Sequence, residues 1–233
     1  MYYLVNLYKI YATGWNMTVI VGLRAEKNIV IVADQRRSNL DEKGRFKSVN
    51  SDSVKKIHIL NDSFIIASGG IAAISDAAVM EIKTKVTNNM TKQDLIKVCQ
   101  EAYLKTRKNT FKSLYSFFAN FSPLKKAKRK EIYSFFLLAG IDEEGTFLYQ
   151  FNSDDNFKHN GLNLDSLVKG YGELEIIKFI ENKNQKPDLI TCVANAIRTT
   201  SVREPMLSPN VYVVMVDSQG TKESFFDKNG KPK

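Results

Sequence analysis

The sequence predicts an α+β domain built as a four-layer αββα sandwich, two stacked antiparallel sheets flanked by helix pairs. Two observations lead there. Strand-like apolar segments fall in separate blocks along the chain, and segments of helical period come in two pairs between and after them. Strands with one face on another sheet and one on helices make that layering the simplest way to bury both. A chain of 233 residues is large enough for one well-buried domain, so residues 18–233 are expected to form a single unit.

The elements follow in order. Strands at 18–23 and 28–33 flank the turn Ala25-Glu-Lys-Asn28, and their β-branched residues suit a hairpin. Residues 38–53 are polar, with Gly44 and four serines, and read as a long loop. Strands at 55–60 and 63–68 are joined by the two-residue turn Asn61-Asp62. Helical spacing carries Ala72, Val79, Ile82 and Val86, then Leu95, Val98, Ala102 and Leu104. Strands at 132–141 and 145–151 turn at Asp142-Glu-Glu-Gly145, two helices follow near 172–183 and 188–200, and a strand covers 211–216.

Composition narrows the functional classes. Hydrophobic content of 43% and charged content of 25% are those of an ordinary globular protein. The longest apolar runs, such as Phe135–Ile141, fall far short of the roughly 20 residues of a membrane helix. Cys99 and Cys192 lie in helical stretches and read as buried free thiols of a reducing compartment, so a cytoplasmic location is expected. His58 and His159 share no metal-ligand spacing. The basic stretch Lys125–Lys130, preceded by Phe117, Phe118 and Phe121, reads as a solvated loop. No nucleic-acid motif accompanies the formal net charge of +9.

Four chemistry-bearing residues stand at strand ends. Thr18 opens Thr18-Val-Ile-Val-Gly-Leu23, directly after Met17. Asp34 closes Val30-Ile-Val-Ala-Asp34, Lys56 begins the next strand, and Ala67-Ser-Gly-Gly70 is a small-residue turn before a helix. This is the set a threonine-nucleophile amidohydrolase requires. Removing residues 1–17 would give Thr18 a free α-amine with a pKa of roughly 7.7–8.0, able to take the hydroxyl proton near neutrality. Strand alternation puts Lys55 and Lys56 on opposite faces, so only one can enter such a site.

With these spacings the chain resembles the proteasome β-subunit family and its bacterial two-component relatives, which are N-terminal-nucleophile (Ntn) hydrolases. The sixteen-residue step from Thr18 to Asp34, Arg36 two positions on, Lys56 and Gly70 match the family motifs in order. So do the hairpin Phe136–Tyr149, the turn Gly170-Tyr-Gly172 and the stretch from Ala196 to Val216, and the match spans about residues 18–217. The resemblance implies the Ntn-hydrolase fold, with Thr18 as nucleophile, Lys56 held by Asp34 beside it, and Gly70 offering an N–H to the oxyanion. It implies peptide or unfolded-protein substrate, a ring-forming homo-oligomer and an AAA+ unfoldase partner, and it calls for no cofactor or metal.

The chain departs from the family pattern in places. Tyr171 stands where a serine usually assists the amine, and Glu204 after Arg203 stands where an aspartate precedes the serine matched by Ser208. Tyr171 could lend its hydroxyl instead. Residues 1–17 are either a propeptide or a misassigned upstream segment; Asn16-Met17 before the threonine favours initiation at Met17. Two other readings stay open, a non-catalytic structural subunit and a small-amide hydrolase of the same superfamily. The length of 38–53, which borders the site, would suit altered access.

Overall fold

A computed structural model describes residues 18–40, 46–119, 133–159, 161–170, 172–181 and 189–231. Tyr171, residues 1–17 and the basic stretch 125–130 lie outside the described residues.

Strand alternation builds three cores from the same strands. β1 (Val19–Arg24), β2 (Asn28–Asp34), β9 (Ser166–Gly170), β10 (Val211–Asp217) and β11 (Gly220–Phe226) form one antiparallel sheet in the order β11-β10-β2-β1-β9. β5 (Ile57–Ile59), β6 (Phe64–Gly70), β7 (Ser134–Asp142) and β8 (Gly145–Asn152) form the second, in chain order. In β2, Ile29, Ile31 and Ala33 face the second sheet, where they meet Ile65, Leu137 and Leu148. The alternate residues Val30 and Val32 turn the other way, onto Val193 and Ile197 of a helix. Successive side chains point to opposite faces of a strand, so one apolar run serves two layers.

Helices close both outer faces. α1 (Ala72–Lys85) and α2 (Lys92–Ala119) cover the second sheet, and Ile74, Ala78, Val79 and Ile82 of α1 recur at helical spacing against Phe64, Phe136 and Phe151. α3 (Glu173–Glu181) and α4 (Leu189–Arg203) cover the first through Ile176, Val193 and Ile197. The result is the expected helix–sheet–sheet–helix order.

Three segments differ from the sequence reading. Residues 38–53 are not a plain loop: β3 (Arg37–Leu40) and β4 (Phe46–Ser51) pair as a separate two-stranded ribbon. Its exposed, polar Ser48 and Asn50 carry no alternating apolar signal. β9 and β11 were not expected either. Each is an edge strand, with mostly part-buried or exposed positions, so its apolar period is weak.

One backbone approach ties the first sheet to the start of the described chain. Gly170 pairs opposite Val19, has φ of +126°, and a Cβ placed on it would lie 1.7 Å from the Thr18 carbonyl oxygen. Only glycine fits such a contact in that conformation. Gly170→Ala is therefore expected to cost about 3 kcal/mol or more, seen as a melting temperature lower by roughly 6–12 °C at fixed protein concentration. An unchanged melting temperature would contradict this packing.

His58 on β5 supplies a second test. Burial, reinforced by the charges of Lys83 and Lys55 and opposed by Asp76, lowers its pKa to about 4. The unfolded chain then binds more protons between about 4 and 6.5, so stability falls as pH drops through that window. Protein with His58→Gln should lose about 3 kcal/mol less between pH 7 and pH 4, read from denaturant midpoints. Parallel curves for the two proteins would refute it.

Candidate active site

The site forms where the ends of β1, β2 and β6 meet the segment entering β5. Antiparallel pairing sets Ile20 against Ala33, which brings Val19 beside Asp34. The Val19 N–H donates to Asp34 Oδ1 at 2.9 Å, and Lys56 Nζ donates to the same oxygen at 2.7 Å. On the other oxygen, Asp34 accepts from the backbone N–H of Arg36 at 3.0 Å and of Ser208 at 3.3 Å. Asp34 is fully buried and Lys56 is 7% exposed. Burial lowers the Lys56 ammonium below the ordinary lysine value, and the Asp34 charge and hydrogen bond oppose that fall.

Lys55 points the other way. It is half exposed, pairs with Glu223 at 3.0 Å, and lies over the rings of Tyr212 and Phe225. The Tyr212 hydroxyl donates to the same Glu223 carboxylate.

Thr18, Lys56 and Gly70 share the wall of one cavity of about 230 Å³. Gly70 has φ of +92°, and a Cβ there would come within 2.5 Å of the Tyr133 carbonyl oxygen. That conformation carries the chain from β6 straight into α1, whose N-terminus adds its dipole to this side of the cavity.

Arg36 braces one side of the cavity. Its guanidinium grips Asp52 in two contacts of 2.7 and 2.8 Å and donates to the Pro205 carbonyl at 2.7 Å. The hydrogen bond to Asp52 raises Arg36 above the ordinary guanidinium value, and the same contact lowers Asp52 below the usual carboxylate range. Sequence reasoning missed Asp52. It follows β4 in the stretch read as a loop, and no spacing rule connects it to Arg36.

Six of the eight residues singled out in the sequence come together here: Thr18, Asp34, Arg36, Lys56, Gly70 and Ser208. Ser208 is buried, and its Oγ accepts from the Asn210 N–H at 3.0 Å. Glu204 stands just past α4, donating its N–H to the Thr200 carbonyl and accepting from Leu207, and is not among the described residues on the cavity wall. Tyr171 falls outside the described residues. Among those residues, no cluster of histidine, cysteine or carboxylate side chains could hold a metal. No helix among them is long and apolar enough to cross a membrane.

A family model described as proteasome subunit matches residues 16–216. No curated protein matches the chain. Matched over most of its length and folded as a four-layer sandwich, the chain belongs to the proteasome subunit family, within the Ntn hydrolases.

Proposed function

We propose that the protein is a threonine peptidase that cleaves peptide bonds inside an oligomeric ring, with Thr18 as the N-terminal nucleophile once residues 1–17 are gone. The observation that carries this reading is the buried Asp34–Lys56 pair, whose Lys56 lines the cavity that Thr18 shares. The α-amine takes the Thr18 hydroxyl proton, and the oxygen attacks the substrate carbonyl. The Lys56 ammonium stabilises the alkoxide as it forms, and the Gly70 N–H receives the oxyanion; one such donor is typically worth about 10²–10³-fold in rate. The amine then passes the proton to the leaving nitrogen, which departs as the ester forms. Water hydrolyses the ester and restores the hydroxyl.

Asp34 acts through Lys56, holding it in place and balancing its charge. Arg36 and Ser208 act one step further out, through their backbone N–H donors to Asp34. Tyr171 and Glu204 are proposed to supply the remaining polar groups around the amine.

A site open to any folded protein would be hazardous in a cell. Closed symmetry hides it, which suits a cytoplasmic homo-oligomeric ring fed unfolded polypeptide by an AAA+ unfoldase.

With the N-terminus confirmed as Thr18, Thr18→Ala should abolish cleavage of a peptide-amide reporter while the melting temperature holds, and Thr18→Ser should keep part of the rate. That rate should rise through about pH 7–8, because the base works only after losing its proton. The same material should sediment as a ring-sized particle. Active protein still carrying residues 1–17 would end the scheme. Inert rings bearing a free Thr18 would favour the structural-subunit reading, to which Tyr171 in place of serine already points.

The two lysines should behave differently. Lys56→Ala removes the partner of a buried carboxylate, so it should cost activity and also about 3–5 kcal/mol of stability. Lys55→Ala breaks a half-exposed pair and should change stability by about 1 kcal/mol or less. Denaturant curves run beside reporter assays check both, and equal losses would place the wrong lysine in the site.

A further inference from the structure

The peptide that carries the Gly70 N–H has an intrinsic freedom to turn. It joins Gly69 to Gly70, and neither residue has a Cβ to resist rotation of the peptide plane between them. A half-turn of that plane would point the N–H away from the cavity and the Gly69 carbonyl towards it. Stiffer residues do not fit here: a Cβ on Gly69 would lie 2.5 Å from the Phe135 ring, and Gly70 has φ of +92°. The aim of the Gly70 N–H therefore depends on what holds the Gly69 carbonyl.

Strand pairing gives the direction of that N–H. The Ser68 N–H donates to the Lys56 carbonyl at 3.0 Å, whereas the Ile71 N–H donates the other way, to the Tyr133 carbonyl at 3.1 Å. Backbone donors alternate sides along a strand, so Gly70 turns to the Ser68 side. β5 pairs with β6 only from Ile65 to Ala67, and beyond that pairing Gly70 faces the cavity. On the carbonyl side stands Ser75, a buried residue in the first turn of α1. Its hydroxyl donates to the Gly69 carbonyl at 3.2 Å, six residues back. A serine within a helix ordinarily turns its hydroxyl to a carbonyl three or four residues back. Here the one hydroxyl hydrogen goes past that turn, to the peptide between the two glycines.

We propose that Ser75 is a positioning residue for the reaction: by holding the Gly69 carbonyl it fixes the Gly69–Gly70 peptide with the Gly70 N–H turned to the oxyanion. The proposal rests on Thr18 as nucleophile and Gly70 as oxyanion donor. In a trans peptide the carbonyl and the N–H point in opposite directions, so anchoring one aims the other. A hydrogen bond accepted by the carbonyl also polarises the amide and strengthens its N–H as a donor. Ser75 acts through this peptide and not on the substrate, and it sets the donor and the start of α1 as one unit.

The test is the split between kcat and KM on a peptide-amide reporter, with the N-terminus confirmed as Thr18. Ser75→Ala should lower kcat about tenfold, part of the roughly 10²–10³-fold that a whole oxyanion donor is worth. KM should stay within about twofold of the parent, because the donor works only in the transition state. Ser75→Cys keeps the volume but is a weak donor, so it should lose as much; Ser75→Thr keeps the hydroxyl and should recover most of the rate. A peptide boronate, whose adduct with Thr18 puts an oxygen where the oxyanion forms, should bind more weakly in step with each loss of kcat/KM. Should the added methyl of threonine upset the fold, seen as a lowered melting temperature, the Ala and Cys variants decide: equal losses support the role. Full activity in Ser75→Ala, rescue by Ser75→Cys, or a loss confined to KM would overturn the proposal while the parent still turns over. A parent bearing a free Thr18 that reacts with neither reporter nor boronate would instead bring down the catalytic reading, and the role of Ser75 with it.

Discussion

The buried ion pair between Asp34 and Lys56 is the constraint around which the rest of the site is arranged. A carboxylate with no exposed surface survives as an anion only if its oxygens are well supplied with donors. Asp34 has four: the Lys56 ammonium and three backbone N–H groups from Val19, Arg36 and Ser208. Those donors come from four places in the chain. Satisfying one carboxylate therefore fixes the start of β1, the turn after β2, the entry to β5 and the loop before β10 relative to one another. The position of Thr18 follows from that arrangement, since its neighbour Val19 is one of the donors.

The sandwich makes such a pair affordable by surrounding it with strands that are apolar on both faces. β2 runs through the middle of its sheet, and its residues divide cleanly between the inter-sheet core and the helix-facing core. Slipping its register by one residue would exchange these two sets and carry Asp34 away from Val19. The register that packs the cores is thus the one that assembles the site.

Much of this was legible in the sequence, for physical reasons that differ from residue to residue. β1, β2, β6, β7 and β10 are inner strands, and β8 is an edge strand buried along most of its length; their long β-branched and aromatic runs announce themselves. Thr18, Asp34, Lys56 and Gly70 stand at the ends of such runs, where polar residues break the apolar pattern. The ribbon of β3 and β4 was not legible because its exposed polar residues give no period. With it went Asp52 as the partner of Arg36, and Arg37 and Ser38 as cavity-lining residues, since their places depend on where that ribbon lies. β9 and β11 stayed hidden as edge strands whose positions are part-buried or exposed, which leaves them no apolar period. Lys55 and Lys56 show the converse: two identical neighbours whose separate fates follow from alternation alone.

The electrostatics of the site follow from the same pairing. The chain carries a formal net charge of +9, and four of its basic residues line the cavity that Thr18 shares, with the Lys55 ammonium turned away from it. Left unpaired they would gather positive charge at one wall of the protein. Each instead has a carboxylate: Arg36 with Asp52, Arg37 with Asp76, Lys55 with Glu223 and Lys56 with Asp34. The partners come from the end of the ribbon, from α1, from β11 and from β2, so neutrality at the cavity depends on all the layers being in place. Misassembly of any one layer would therefore unbalance the charge around Thr18.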